Sequence, residues 1–270
     1  MRTTLFAALL LTSPFAVGSA VAQPFPFNEA GVTNGHFHLN SKDVAANEKI
    51  LVAMGGKAFT AGARRRVNFP GVMVILDAAP GTPPPSAGSV GSVVNHIGFS
   101  VQNVQEQVAK WKAAGVLVAP SNTGRLDQAY VNTADGLKIE ILENKNQSMA
   151  IQSEHVHFFL PEQAIGPSQA WYGKIFGAKA AVSNNAPVAN LPGAQLRFRK
   201  VDTALAPTKG RVLDHLGFDV KDLKAFIKML EANNIKLDRP YSLNNEGIGI
   251  AFITDPWGAY IEINERPGQK

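Results

Sequence analysis

The sequence predicts an α+β protein made of four similar units, each with an opening strand, a helix and two or three further strands. Two observations predict this fold class. Residues 95–116 align without a gap on residues 214–235, a shift of 119 residues. A histidine also recurs at intervals of 60, 59 and 60 residues, at His36, His96, His155 and His215. An internal repeat of this kind indicates repeated structural units.

Each unit begins with alternating residues typical of a strand and continues into an amphipathic helix. In the second unit the predicted helix runs from Val104 to Ala114, with Val108 and Trp111 on its buried face, and Gly115 ends it. In the fourth unit Asn233 and Asn234 end a helix whose buried face is formed by Leu223, Phe226, Ile227 and Leu230. Apolar strands separated by turns complete each unit.

The unit boundaries are predicted where turn-forming residues cluster. Residues 78–92 contain three successive prolines and link the first two units, and residues 202–213 link the last two. The segment 144–153 separates the halves. We therefore expect a first module at residues 23–147 and a second at 148–270.

Composition excludes several classes of protein. The chain has 270 residues, of which 45% are hydrophobic and 17% charged, as in folded proteins. Cysteine is absent, which excludes disulfides, thiolate metal sites and a cysteine nucleophile. The formal charge is +5, but the only basic run is Arg64-Arg65-Arg66, so nucleic-acid binding is not expected. That run is interpreted as a solvated loop, with a clamp for a substrate anion as the alternative.

Residues 1–22 have the pattern of a signal peptide. Arg2 provides a positive start, Leu5 to Leu11 an apolar stretch, and Ala20-Val21-Ala22 a cleavage signal. We expect cleavage after Ala22 and export of the mature protein, to the periplasm or outside the cell. No later segment reaches the roughly eighteen apolar residues of a membrane helix.

All six histidines lie in the four opening strands. Residues two apart in a strand share a face, so His38 projects beside His36, and His157 beside His155. If the units of each half pair, His36 meets His96, and His155 meets His215. Glu140 and Glu262 lie in otherwise apolar final strands, where a lone carboxylate is costly to bury.

Two imidazoles and a carboxylate on one face are typical of a site for divalent iron, manganese, zinc, nickel or cobalt. A single strand histidine is more often structural, and a single glutamate often faces water. The His, His, Glu set occurs twice, however, at spacings of 60 and 44 residues and of 60 and 47 residues. The repetition favours metal ligands, predicted as His36, His96 and Glu140 in one module and His155, His215 and Glu262 in the other.

The unit openings GHFHLNSKD, NHIGFSVQN, EHVHFFLPE and DHLGFDVKD, with the endings DGLKIEI and DPWGAYIEI, resemble the vicinal oxygen chelate superfamily. This superfamily includes glyoxalase I, methylmalonyl-CoA epimerase, extradiol ring-cleaving dioxygenases and bleomycin-resistance proteins. The resemblance covers nearly all of residues 33–266. It implies four βαβββ units paired into two glyoxalase-like modules, each enclosing a metal cleft.

The resemblance also implies roles for individual residues. Gln195 occupies the place of a glutamine ligand in epimerase-like members, whereas the matching Met73 is a poor ligand, so the second module is the better candidate. A surface position is the alternative for Gln195. His38 and His157 are either alternative ligands or supporting residues. Lys138 and Tyr260, two residues before the glutamates, are the candidate catalytic bases, with aromatic packing as the alternative for Tyr260.

Three functions follow from the resemblance. The first is a metal-dependent lyase, isomerase or epimerase that chelates adjacent oxygens of a small substrate and stabilises enolate-like charge. The second is an extradiol-type dioxygenase, which would need a further proton-shuttling histidine. The third is a non-catalytic small-molecule binding protein of the bleomycin-resistance type. With four units, the chain can enclose its sites as a monomer, and a homodimer is the alternative.

Overall fold

The computed structural model describes residues 25–78 and 83–268, and these residues form four strand-helix-strand units. Each unit contains one helix and four strands, as the resemblance implies. Unit one comprises β1 (Val32–Asn40), α1 (Val44–Ala53), β2 (Lys57–Ala61), β3 (Arg64–Phe69) and β4 (Val72–Asp77). Unit two comprises β5 (Val94–Val101), α2 (Val104–Ala113), β6 (Val118–Pro120), β7 (Gln128–Asn132) and β8 (Lys138–Glu143).

Units three and four repeat this order. Unit three comprises β9 (Ile151–Leu160), α3 (Glu162–Phe176), β10 (Lys179–Ser183), β11 (Ala186–Leu191) and β12 (Ala194–Lys200). Unit four comprises β13 (Leu213–Val220), α4 (Leu223–Ala232), β14 (Arg239–Leu243), β15 (Gly249–Thr254) and β16 (Tyr260–Glu265). The predicted α+β class with four βαβββ units is confirmed.

Helix boundaries follow local capping rules. The side chains of Asp43, Asn103 and Asp222 each accept a hydrogen bond from the backbone N–H three residues later, which satisfies a free donor of the first turn. The third helix lacks such a cap and ends at Gly177, whose φ of 66° lies in the left-handed region. The predicted helix ends near Ala114 and Asn233 are confirmed.

The strands form two eight-stranded sheets that combine units from different halves of the chain. The first sheet has the order β14-β15-β16-β13-β1-β4-β3-β2, and the second has the order β10-β11-β12-β9-β5-β8-β7-β6. Unit one thus shares a sheet with unit four, and unit two with unit three. At the centre of each sheet two opening strands run antiparallel, β1 beside β13 and β5 beside β9.

The expected pairing of units within each half is therefore wrong. The linkers supply the physical reason: residues 144–150 form a short connection from β8 to β9, which keeps units two and three in one sheet. By contrast, the consecutive strands β4 and β5 lie in different sheets, and so do β12 and β13. The module boundary at residues 147 and 148, as a division of the sequence, stays a prediction.

The hydrophobic core lies between the sheets and their helices. Phe69 of the first sheet packs against Phe99 of the second, with 4.7 Å between ring centroids. Phe176, at the end of α3, lies 4.7 Å from Phe218 of β13. Both pairs are fully or almost fully buried. One continuous apolar cluster thus holds the two sheets together.

Polar contacts between consecutive units repeat as well. Asp135, in the turn before β8, accepts hydrogen bonds from Ser41 and Asn47 of unit one. Asp255, in the matching turn before β16, accepts a 2.8 Å hydrogen bond from Tyr172 of α3. Each turn carboxylate therefore fixes the helix region of the preceding unit, in addition to the apolar core.

The basic run is not a solvated loop. Arg64, Arg65 and Arg66 begin β3 and form ion pairs with Asp77, Glu48 and Glu246 respectively. In the described residues, no helix has the length and apolarity needed to cross a membrane. The predicted signal peptide at residues 1–22 lies outside the described residues.

Truncating Phe176 tests the packing between the sheets. We expect Phe176→Ala to lower the free energy of unfolding by about 3–5 kcal/mol, because the fully buried ring, at the end of α3, packs on Phe218 of the first sheet and Phe226 of α4. Val182→Ala, at a side chain 74% exposed, is the matched control and should change it by less than about 0.5 kcal/mol. Denaturant titration measures both, and equal effects would contradict the assignment of this core.

Candidate metal centres

The first sheet brings three histidines and a glutamate together at its centre. This cluster, centre one, consists of His36, His38, His215 and Glu262, whose potential ligand atoms all lie within 4.8 Å of one another. Nε2 of His215 is 2.8 Å from Oε2 of Glu262, and Nε2 of His36 is 3.6 Å from the same oxygen. The His38 ring stacks on that of His215, with 4.3 Å between centroids.

The second sheet forms an equivalent cluster. Centre two consists of His96, Glu140, His155 and His157, again within 4.8 Å. Nε2 of His96 and Nε2 of His155 lie 2.9 Å and 3.0 Å from Oε2 of Glu140. Nδ1 of His157 is 3.1 Å from Nε2 of His96. The pseudo-repeat of the sequence thus produces two centres with the same set of side chains.

The composition of each centre corrects the predicted ligand sets. His36 lies with His215 and Glu262 instead of with His96 and Glu140, and His155 lies with His96 and Glu140. The cause is the sheet pairing, since β1 neighbours β13 and β5 neighbours β9. As the repeat predicts, each centre combines ligands from one odd-numbered unit and one even-numbered unit. The two units of each centre, however, come from opposite halves of the chain. His38 and His157 lie within the clusters.

Glycines create the space in which the side chains converge. Gly217 is in register with His36 on one side and Glu262 on the other, and Gly98 has the same relation to His155 and Glu140. A Cβ on Gly217 would lie 2.0 Å from Cε1 of His36, and one on Gly98 would lie 2.0 Å from Cε1 of His155. No side chain other than hydrogen fits there.

The residue preceding a histidine orients its ring in three of the four units. Nδ1 of His215 lies 2.7 Å from Oδ1 of Asp214, and Nδ1 of His96 lies 2.9 Å from Oδ1 of Asn95. Glu154 contacts Nδ1 of His155 in the same way. These contacts direct Nε2 towards the glutamate. Sequence reasoning missed these residues and both glycines, although the dipeptides Asn-His, Glu-His and Asp-His and the His-x-Gly pattern carried the signal.

His36 is the exception, because Gly35 precedes it. Both of its ring nitrogens are buried without a hydrogen-bond partner. Nδ1 of His38 is also buried without one, while its Nε2 lies 3.3 Å from Oδ2 of Asp77. Buried polar atoms normally have partners, so these nitrogens are free to bind a ligand.

Burial and the neighbouring charges divide the histidines into two groups. Burial lowers the pKa of His36 and of His96 to about 4, and that of His157 to about 2. Burial also opposes charging of His155 and His215, but their two carboxylate neighbours outweigh it and raise the pKa of each. The pKa values of Glu140 and Glu262 lie below the ordinary value for a glutamate, because hydrogen bonds from histidines outweigh the effect of burial.

The residues fit a divalent transition metal. Imidazole nitrogens and a carboxylate oxygen suit iron, manganese, zinc, nickel or cobalt, and unpartnered nitrogens of His36 and His38 lie in centre one. The glycine spaces bring the ligand atoms to one point. The predicted divalent metal is thus supported by the donor set, and its identity stays open.

Each centre lies at the base of a cavity. The cavity at centre one measures about 950 Å³ and that at centre two about 600 Å³. Both volumes suit small molecules. Tyr260 lines the first cavity and Lys138 the second, so the two predicted catalytic bases belong to different centres.

The remaining predicted residues lie beside the centres. Gln195 is in register with His155, and its amide is hydrogen bonded to Arg197 and Asn190. Its role as a ligand stays a prediction. Tyr260 stacks on Phe252, and burial raises its pKa to about 12. Lys138 lies over the ring of Tyr130, and burial lowers its pKa.

Solved structures share this architecture. The chain is similar to glyoxalase I from Zea mays, with 16% sequence identity, coverage of 87% of this chain and 92% of that one, and a TM-score of 0.67. It is also similar to a proposed dioxygenase from Bacillus subtilis, with 12% identity, 91% and 87% coverage, and a TM-score of 0.61. No protein-family model matches the chain, and no curated protein sequence matches it significantly.

These likenesses define the fold. The chain has the vicinal oxygen chelate fold in its two-module form, with four βαβββ units in one polypeptide. The expected resemblance to the superfamily is thereby confirmed at the level of the fold.

Filling the glycine space tests the geometry of centre one. We expect Gly217→Ala to lower the free energy of unfolding by about 1–3 kcal/mol, because the new methyl group overlaps the His36 ring. Gly166→Ala is the matched control: it lies in α3 with no atom near its added Cβ, and should be neutral or stabilise by up to about 1 kcal/mol. Similar losses in both variants would contradict the close approach at Gly217.

Proposed function

We propose that this chain is an exported, metal-dependent enzyme that acts on a small substrate with adjacent oxygens, in a reaction of the lyase, isomerase or epimerase type. The observation that carries the proposal is the convergence of three imidazoles and a carboxylate at the base of an open cavity, twice in one chain. Export rests on the sequence pattern of residues 1–22 alone.

The protein groups would hold the metal and keep its surroundings fixed. Carboxylates that contact Nδ1 of His215 and of His155 hold each ring with its Nε2 towards the glutamate. The rings therefore need little rearrangement to bind a metal. A bound dication supplies Lewis-acid chemistry, which stabilises negative charge on a chelated oxygen when a neighbouring proton leaves. The low pKa values of His36 and His96 keep these rings neutral at neutral pH, as metal ligation requires.

The proton acceptor differs between the centres. Burial shifts the pKa of Lys138 downwards, towards that of a useful base, whereas Tyr260 remains protonated at neutral pH. We therefore propose Lys138 as the proton acceptor in centre two, and Tyr260 as a hydrogen-bond donor in centre one. The Lys138 side chain reaches the cavity of centre two, as this role requires.

A ring-cleaving dioxygenase is the second candidate, and the third histidine of each centre favours it. His157 lines the cavity, but burial together with the nearby His96 and His155 lowers its pKa to about 2, which makes it a weak proton acceptor. In this candidate function, His96, His155 and Glu140 would hold the metal, and His157 would remain as an additional imidazole beside it. A non-catalytic binding protein is the third candidate, and the unpartnered ring nitrogens of centre one argue against it.

Metal analysis is the direct test. We expect the protein expressed to its native compartment to contain about two divalent ions per chain, one for each cluster. His215→Ala and His96→Ala should each retain one ion, because each removes a ligand from a different centre. Elemental analysis gives the stoichiometry, and activity should disappear with a chelator and return with the metal.

The identity of the metal separates the candidates. Iron would favour the dioxygenase, whereas zinc, nickel, cobalt or manganese would favour proton transfer. A protein without metal, even after incubation with divalent ions, would exclude both enzymatic functions and leave the binding protein. Circular dichroism of both variants is the control for correct folding.

The two centres should differ in affinity. His36 lacks the orienting neighbour that His155 has in Glu154, so we expect centre one to bind metal about 10–100-fold more weakly. Competition with a graded chelator, applied to His96→Ala and to His215→Ala, compares the centres one at a time. Equal affinities would show that Asp77, beside His38, compensates for the missing contact at His36.

A further inference from the structure

The two centres share their ligands but differ in the side chains around them. Strand register identifies the equivalent positions, because the paired histidines serve as reference points. His38 aligns with Ile75, and its equivalent His157 aligns with Arg197. Two residues further along the same strands, Asp77 of centre one corresponds to Arg199 of centre two. A carboxylate therefore stands in one cavity where a guanidinium stands in the other.

The opposite wall of each cavity differs in the same direction. Tyr260 of centre one corresponds to Lys138 of centre two, since each lies two residues before the glutamate. On the neighbouring strands Ile250 of centre one corresponds to Gln128 of centre two. Centre one is thus the more apolar site and centre two the more polar one.

Charge separates the cavities further. Around centre one, apart from the glutamate ligand, three cations face three carboxylates: Arg64, Lys209, Arg239, Asp77, Asp214 and Glu246. Around centre two, apart from the glutamate ligand and Lys138, the proposed proton acceptor, three cations face one carboxylate: Arg197, Arg199, Lys200 and Asp202. Centre one is balanced, and centre two carries excess positive charge.

Not all cations of centre two are available to a ligand. Arg197 pairs with Glu154, and Lys200 pairs with Glu162. Within the described part of the chain, Lys138 and Arg199 form no ion pair with a carboxylate; each lies over an aromatic ring instead, Tyr130 and Phe159 respectively. In centre one, Lys209 and Arg239 lie over Tyr260 and Phe252 in the same way. A guanidinium that is held on a ring and lacks an acidic partner is suited to bind a carboxylate through two hydrogen bonds.

We propose that centre two takes substrates that carry a carboxylate in addition to the oxygens that chelate the metal, and that Arg199 binds this carboxylate. At the equivalent position of centre one stands Asp77, which is paired with Arg64. The inference rests on the proposed function, since it assumes that centre two holds a metal. It assigns a carboxylate-binding residue to centre two.

Malate and lactate are suitable probes, because both carry a 2-hydroxy carboxylate and only malate has a second carboxylate. His215→Ala leaves centre two intact, and His96→Ala leaves centre one intact; Glu262→Gln and Glu140→Gln serve the same purpose if a histidine variant fails to fold. Each protein is loaded with Mn²⁺, its metal content is measured, and the dissociation constants of both probes are determined by calorimetry.

In the protein with only centre two, we expect malate to bind about tenfold more tightly than lactate, the effect of one charge-assisted interaction. Arg199→Met should bring the ratio close to one, and Arg199→Lys should keep part of the preference. Lys209→Met is the matched control, because Lys209 lines the other cavity, and should leave the ratio unchanged. In the protein with only centre one, Arg199→Met should leave the ratio unchanged.

A ratio near one at centre two, a preference that survives Arg199→Met, or an effect of Arg199→Met on the ratio of centre one would overturn the inference. These outcomes leave the proposed function intact, because metal content is established before any probe is added. Absence of Mn²⁺ from both single-centre proteins would instead overturn the proposed function, and this inference with it.

Discussion

Both centres depend on the absence of a side chain at Gly98 and Gly217. Each glycine lies in the middle of an eight-stranded sheet, between a histidine of one neighbouring strand and a glutamate of the other. When three neighbouring strands are in register, the side chain of the central residue normally separates the side chains of the two outer residues. Without a Cβ at the central position, the imidazole extends across the strand and approaches the carboxylate.

This convergence explains how a carboxylate is tolerated among apolar strands. Glu140 is almost fully buried, and burial alone would raise its pKa and favour the neutral acid. Hydrogen bonds from His155 and His96 reverse that shift, so the carboxylate stays ionised. The histidines in turn are oriented by Glu154 and Asn95. The glycine, the ligands and the orienting residues therefore form one interdependent set, and all of them except the glutamates lie in an opening strand or next to one.

The sequence predicts the units well because each unit carries its own local signals. The helix stop at Gly115 and the histidines of each opening strand are readable from a short stretch of chain. The pairing of units is not readable in this way. All four opening strands have similar patterns, and every odd unit could place its histidine over the glycine of either even unit. The deciding factor is the short connection at residues 144–150, and its effect appears only in three dimensions.

The same contrast explains why the surroundings of the centres differ while their ligands agree. A position inside a centre is constrained by several partners at once. Gly217, for example, is in register with His36 on one side and Glu262 on the other. Arg199, by contrast, is exposed, and it lies over the half-buried ring of Phe159. Asp77 occupies the equivalent position in centre one, where it contacts His38 and Arg64. Duplication of a unit therefore preserves the ligands through geometry and leaves the charge at the cavity rim free to differ, so that one fold presents two chemically distinct sites.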